Sequence, residues 1–422
     1  MLIINKQLLK REFLAGMTTF FTMAYIVVVA PNMYQSAGAS FNHMFVVVCL
    51  VSAMATLLVG LFANLPVAFA PGLGLLSYFC FEVIGQMHFT WSQALAAVCV
   101  AGLVFVFITI TNIRRLILNA IPHSLGLAIA SGIGFFIGFI ALKNVGVIVP
   151  NPTTILALGK LTHLSVLLFF TGFALIAILD GYNVPGAILI GIILMTLLGN
   201  VLGLNHFHGL FALPHFDQQY FYHFDFSPLW TMQGLPILFT FLIIALFDST
   251  GTLLGLTKLL HFKSEAEAKK RINRALLMES FATLGSSVIG ASTLSPFIES
   301  ASGISAGGRT GLTAVFVACG FMLLLFCEPL AHSVPVYATA SALFYVACIM
   351  MKPFAGVKWD DMSELIPSVM ILFIIPLSFS IADGVGVGII CYVVLKSAKR
   401  EWSQIHPMLW VLALIFLLYF SI

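Results

Sequence analysis

The chain has 422 residues, 60% of them hydrophobic and only 8% charged, with a formal net charge of +3 and a mean hydropathy of +1.08. Soluble domains carry about 25% charged residues, so a water-soluble enzyme or a nucleic-acid-binding protein is excluded. Apolar runs of membrane-crossing length recur from end to end, which defines an all-α polytopic membrane protein embedded in a lipid bilayer.

In chain order, the apolar segments predict spans near 13–34, 42–64, 66–85, 94–113, 121–142, 163–180 and 184–204. After a long aromatic loop they resume near 235–256, 275–290, 293–307, 310–328, 334–351, 366–381 and 384–396, giving about fourteen. The first run is longer than a signal-peptide core and is read as a retained span. With the N-terminus placed in the cytoplasm, only Lys143 and Lys160 of the 19 lysines and arginines fall outside, as the positive-inside rule requires. The stretch 407–422 is either a short extra span or an interfacial segment. The charged run 258-KLLHFKSEAEAKKRINR-274 reads as a cytoplasmic helix acting as a topology signal.

Seven cysteines, none in a C-x-x-C pair, lie mostly in apolar segments and read as buried free thiols. His206, His208, His215 and His223 fall in the long outer loop at spacings that match no metal-ligand pattern. No P-loop, HExxH or GxSxG motif is present, so neither an enzyme nor a cofactor is expected beyond a coupling ion, H⁺ in preference to Na⁺. The glycine runs 132-GIGFFIG-138 and 384-GVGVG-388 lie inside spans and read as helix-packing faces.

Two segments do not look like ordinary spans: 70-APGLGLLSYF-79 and 292-STLSPFIES-300. A shift of about 225 residues lays Pro71 on Pro296 and Met23 on Asp248. Seven spans per half, an odd number, makes the second half inverted relative to the first. Paired Pro/Gly-interrupted segments in such halves point to a transporter's binding site. Pro71, Gly72, Gly74, Ser295 and Pro296 should break the helices there and offer backbone groups to a ligand, since non-helical chain at that depth must line a cavity or be buried. Ionisable residues within spans are functional candidates by default. Asp248 and Glu299 are expected to reach one cavity and to allow proton coupling, while Glu279 either joins them or pairs with Arg274. Glu82, Asp180, Glu328 and Asp383 fall near predicted span ends, where solvent contact gives them no special role. Phe20, Phe79, Phe247 or Phe297 would stack on a flat heterocycle.

The motifs 11-REFLAGMTTFFTMAYIVVVAPNM-33, 62-FANLPVAFAPGLGLLSYF-79, 121-IPHSLGLAIASGIGFFIGFIALKNVG-146, 245-ALFDSTGTLLG-255, 299-ESASGISAGGRTGLTAV-315 and 335-PVYATASALFYV-346 resemble the AzgA-like purine permeases of the nucleobase:cation symporter-2 family. The resemblance runs nearly end to end. It implies a uracil-permease-like fold of fourteen spans in two inverted seven-span repeats, with short extended segments in the third and tenth. A core domain would comprise 1–116 and 235–330, a gate domain 117–204 and 331–422, and 205–234 an extracytoplasmic loop. It further implies a homodimer in the cytoplasmic membrane that imports hypoxanthine, guanine or adenine with protons. Asp248 and Glu299 would bind the base and set the coupling with Glu279, and Thr22, Phe79, Phe247, Phe297 and Ser300 would complete the substrate set. Two departures stand out: Leu76-Ser77 replaces the family's Asn-Ala, and Phe297 occupies a stretch where the family carries a tyrosine. The alternatives are a same-fold carrier or channel for another flat heterocycle or an anion, or a relative that has lost transport.

Overall fold

The computed structural model describes residues 6–111, 121–205, 207, 209–214, 223–230, 234–260, 262 and 264–421. Every predicted span within them is present, most as one helix and two as broken segments. The first half runs α1 (Lys6–Met23), α2 (Ile26–Ser36), α3 (Phe41–Leu58), β1 (Phe69–Pro71), α4 (Leu73–Ser77), α5 (Trp91–Ile110), α6 (His123–Val145), the hairpin β2 (Ile148–Asn151) and β3 (Ile155–Leu158), α7 (Leu164–Gly181) and α8 (Ala187–Val201). The second half repeats the order with α9 (Gly234–Lys258), α10 (Glu265–Ile289), β4 (Leu294–Pro296), α11 (Ser300–Ser305), α12 (Gly311–Leu324), α13 (Glu328–His332), α14 (Val336–Met351), α15 (Met362–Ser378), α16 (Ile381–Ala398) and α17 (Pro407–Phe420).

Local chemistry explains several boundaries. The predicted first span is two helices, because the chain tightens across Ala24–Tyr25, where the Val27 N–H returns to the Ala24 carbonyl (3.2 Å) and the Val28 N–H to the Tyr25 carbonyl (3.1 Å). Thr90 and Gln93 form a reciprocal capping box that starts α5. Ser264 caps α10, with Glu265 and Glu267 in its first turn, so the predicted cytoplasmic helix is the first part of the ninth span rather than a separate element. At the basic end of α16, the buried Lys396 ammonium meets Asp361 at 3.0 Å and Glu401 at 2.8 Å. The Lys399 ammonium and the Ser363 hydroxyl hold the Asp361 carboxyl well below the usual carboxylate range.

The helices gather into two packed groups. In one, α1 lies on α12, α12 on α3, and α10 on α5. In the other, α6 packs against α14 and α15, α15 against α16, and α14 against α7. Glycines permit the closest approaches. Gly311 leaves no room for a Cβ against the Gly60 carbonyl, so α12 meets the turn after α3 backbone to backbone. Gly132 faces Ile375, Gly134 faces Met350 and Gly138 faces Ala347, which is the packing role read for that glycine run.

The two broken segments meet. β1 and β4 pair antiparallel, with Phe69 opposite Pro296, Ala70 opposite Ser295 and Pro71 opposite Leu294. The Gly72 N–H donates to the Thr293 carbonyl (3.4 Å) and the Phe297 N–H to the Ala68 carbonyl (3.0 Å). A shift of 225 residues carries the first of these bonds onto the second and Ala70 onto Ser295. The pseudo-two-fold axis of the inverted repeat therefore passes through the Ala70–Ser295 pair, and the offset read from the sequence is the one this pairing demands.

Candidate functional site

Why a strand pair survives amid helices follows from where its polar groups go. Antiparallel ladders alternate hydrogen-bonded and non-bonded pairs. Both Pro71 and Pro296 occupy non-bonded positions, where a missing N–H costs nothing. Their partners turn outward and are satisfied by threonines. Thr56 accepts from the Phe69 N–H at 2.9 Å and donates to the Phe69 carbonyl at 3.0 Å. Thr283 accepts from the Leu294 N–H at 3.4 Å. The Tyr34 hydroxyl accepts from the Ser292 N–H at 2.7 Å, and Ser286 donates to the Ser292 carbonyl.

Beside this crossing lies a cavity of about 1410 Å³. At its inner end stand Tyr25, Gly74, Asp248, Ser295, Phe297 and Glu299. Its mouth is bordered by Lys258, Glu265, Lys269 and Asn273, the strongly charged stretch of the chain. Asp248 comes from the middle of α9, Glu299 from the turn between β4 and α11, and Tyr25 from the α1–α2 junction. The Tyr25 hydroxyl donates to Glu299 Oε1 at 2.7 Å, which fixes one carboxylate oxygen and leaves the other to a ligand. The Ser295 hydroxyl and the Asp248 carboxylate both face Gly72. Gly72 is required here: a Cβ on it would fall 2.4 Å from Ser295 Oγ and 3.4 Å from Asp248 Oδ2. Phe297 and Pro296 give the wall an apolar face beside the acids.

Several expected site residues stand elsewhere. Ser300 is fully buried, its hydroxyl accepting from the Ala68 N–H at 3.0 Å, so it binds the strand crossing and does not line the cavity. Thr22 lies 3.0 Å from the Ser302 hydroxyl and bonds backbone carbonyls of its own helix. The Phe79 ring packs edge-on to Trp91 (5.2 Å) and Tyr34 (6.0 Å), in the helical segment Tyr78–Ile84 that continues α4 past the cavity. Phe20 packs against Phe321 in the same way. Glu279 accepts from Ser249, the neighbour of Asp248, rather than pairing with Arg274, and it is buried behind the cavity wall. The Phe247 side chain lies outside the described residues, as do His206, His208 and His215. The sequence reading missed Tyr25: it is an unremarkable tyrosine in a β-branched run, and only its contact with Glu299, 274 positions on, marks it.

Glu82 overturns its expected solvent contact. It is buried, and its carboxylate accepts from Ser380 Oγ at 2.6 Å, from the Ile381 N–H at 2.6 Å and from the Ala382 N–H at 3.4 Å. Asp180 accepts from the Tyr345 hydroxyl at 2.5 Å.

A polytopic helical fold with an inverted repeat, a crossing of broken spans and a cavity carrying two acids is the architecture of a membrane permease. Residues 10–389 match the xanthine/uracil Permease family, and the chain belongs to it. It is 41% identical to the adenine permease AdeP of Escherichia coli K12 over 97% of this chain and 92% of that protein. To the guanine/hypoxanthine permease PbuO of Bacillus subtilis it is 36% identical over 97% of this chain and 96% of that one. Among solved structures, the transmembrane domain of the cyanobacterium bicarbonate transporter BicA superposes with a TM-score of 0.64 at 16% identity, covering 90% of this chain and 97% of that one. That likeness shows the fold, seven spans and seven inverted. The protein is a multi-pass membrane permease, not an enzyme.

Proposed function

We propose that this permease imports a purine base across the cytoplasmic membrane together with protons. The observation that carries the reading is the convergence of Asp248 and Glu299, with Ser295 and Tyr25, on one cavity at the crossing of the two broken spans. A purine presents several N–H groups along its edges and a flat apolar face. Two carboxylates accept from the edges, and Phe297 offers a surface for the face. Relatives that match along nearly their whole length are an adenine permease and a guanine/hypoxanthine permease, which supports a purine. An anion carrier on the same fold would bring its cargo against two acids, and Coulomb repulsion in a low-dielectric cavity opposes that.

Two ionised carboxylates facing one cavity also repel each other, so a proton travelling with the neutral base balances the site's charge. The membrane potential then supplies about 2.3 kcal/mol per charge per 100 mV. The sequence assignment of seventeen basic residues to one side supports a cytoplasmic N-terminus and a cavity mouth on that side, an inward-open arrangement. The two packed groups correspond to a core, residues 1–116 and 235–330, and a gate, residues 117–204 and 331–422. Transport is then displacement of the core, which carries the acids, against the gate, in a homodimer.

Uptake of labelled adenine, guanine and hypoxanthine into cells lacking their own purine permeases, with and without a protonophore, tests the reading. Saturable uptake of one base that collapses with the proton gradient is the expected result. Well-expressed protein that moves none of the three would end it.

A further inference from the structure

We infer that Glu82 is a gating contact: its carboxylate clasps the far end of the gate to the core while the cavity is open at its basic mouth. This rests on the core-and-gate reading above and adds a residue that does not touch substrate. Glu82 sits at the end of the helical segment that begins at Leu73, about 14 Å along it from the cavity. That segment belongs to the core and moves with the strand crossing. All three donors to the carboxylate, Ser380 Oγ and the Ile381 and Ala382 N–H groups, lie at the start of α16, in the gate. The carboxylate thus fills the N-terminal cap of a gate helix from across the boundary. Gln86 adds a fourth bond, its side-chain amide donating to the Ser378 carbonyl at 3.1 Å.

The corner that receives Glu82 is on the far side from the mouth. α6 starts at the cavity, where Pro122 and His123 line it, and carries Lys143 in its last turn, whose ammonium lies 4.9 Å over the Phe379 ring. Phe379 is also one of the few residues other than glycine with positive φ (57°), a conformation disfavoured for a bulky side chain and sustained only by its surroundings. Here those surroundings are Phe136 and Phe139 of α6, at 5.6 and 5.4 Å, and the bonds from Glu82 and Gln86 to the residues on either side. The α6 rings travel with the gate, so the bonds from Glu82 and Gln86 are the part of this support that displacement of the core removes. Releasing the contacts lets α16 part from the segment Tyr78–Ile84 that continues α4, and opens the far side.

A second buried carboxylate supplies the control. Glu12 accepts from the Arg309 and Thr310 N–H groups and from the Thr313 hydroxyl, capping α12 in much the same way. All three of these partners are in the core, as Glu12 is, so no displacement of core against gate strains it.

The test is the labelling rate of Ala382→Cys by a membrane-impermeant maleimide applied from the side opposite the mouth, corrected for the seven native cysteines. Ala382 is fully buried behind the clasp. Adding Glu82→Gln should raise the rate about tenfold, the effect of losing one strong hydrogen bond from the closed state, whereas Glu12→Gln should leave it unchanged. Ser380→Ala, which retains the backbone donors, should give a smaller rise and serves if Glu82→Gln does not reach the membrane. An unchanged rate in folded Glu82→Gln and Ser380→Ala overturns the inference, and so does an equal rise in Glu12→Gln, which would mean general loosening. The underlying two-body reading is tested apart. An ideal Cβ at Gly74 lies 3.9 Å from Ile133 Cβ, within disulfide range. A Gly74→Cys/Ile133→Cys bridge should arrest uptake reversibly; uptake that persists through the closed bridge defeats that reading whatever the labelling shows.

Discussion

The two broken spans share a backbone and differ in chemistry. Residues 68–72 and 293–297 exchange equivalent hydrogen bonds about one axis, and a threonine from a neighbouring helix supports each. Yet the acids belong to one half alone. By the 225-residue offset Asp248 corresponds to Met23 and Glu299 to Gly74, and the first half contributes a phenol from Tyr25 instead. Symmetry builds the crossing, and its breaking builds the site: one half supplies charge, the other supplies close backbone approach and a donor that orients the charge. A pair of identical acidic halves would place four carboxylates in one cavity, at a desolvation cost no neutral ligand offsets.

Substitutions at equivalent positions test how deep this division runs. The largest effect is expected at the acids. Glu299→Gln or Asp248→Asn should lower uptake about 100-fold or more at unchanged membrane abundance, whereas Met23→Leu at the equivalent position should stay within a few-fold. Normal uptake by Glu299→Gln would remove it from the site. Next comes Gly72→Ala, whose Cβ collides with Ser295. Overpacking of this kind costs about 1–3 kcal/mol, so thermal stability in detergent should drop, and adding Ser295→Gly should recover much of it. Tyr25→Phe should raise the KM for the purine about tenfold while sparing maximal rate, because it frees Glu299 without discharging it; a change confined to maximal rate would assign Tyr25 to the conformational step. The smallest contrast lies in the supporting threonines. Thr56→Val removes two good bonds and should cost about 2 kcal/mol, Thr283→Val one long bond and about 1 kcal/mol or less. Equal losses in the two would mean that the crossing is held alike from both sides.

Much of this was legible in the sequence, and the reasons are physical. Lipid forbids unsatisfied backbone, so apolar length marks the spans and Pro71 and Pro296 mark the breaks. Charge is costly in a span, so Asp248 and Glu299 stand out as functional candidates. What sequence could not supply was the identity of partners. Glu82 lies about 300 positions from its donors, and nothing local distinguishes it from a carboxylate at a wet span end. Ser300 and Phe79 sit in the expected motifs, but their side chains point to the strand edge and to an aromatic cluster, a direction set by tertiary packing. For Glu279 the sequence leaves open whether it joins the acids or pairs with Arg274, whereas the facing α9 gives it Ser249.

The separation of β1 from β4 also sets a schedule for biogenesis. Ala70 is made 225 residues before Ser295, an interval of roughly 10–45 s at ordinary rates of chain synthesis. For that time the segment Phe69–Pro71 is in or near the bilayer without its strand partner. The Thr56 hydroxyl, delivered by the span made just before, already meets both polar groups of Phe69, and Pro71 has no N–H to expose. Thr56 thus settles the outward edge of the half-built crossing early, while the Ala68 carbonyl and the Gly72 N–H on the inward edge wait for β4.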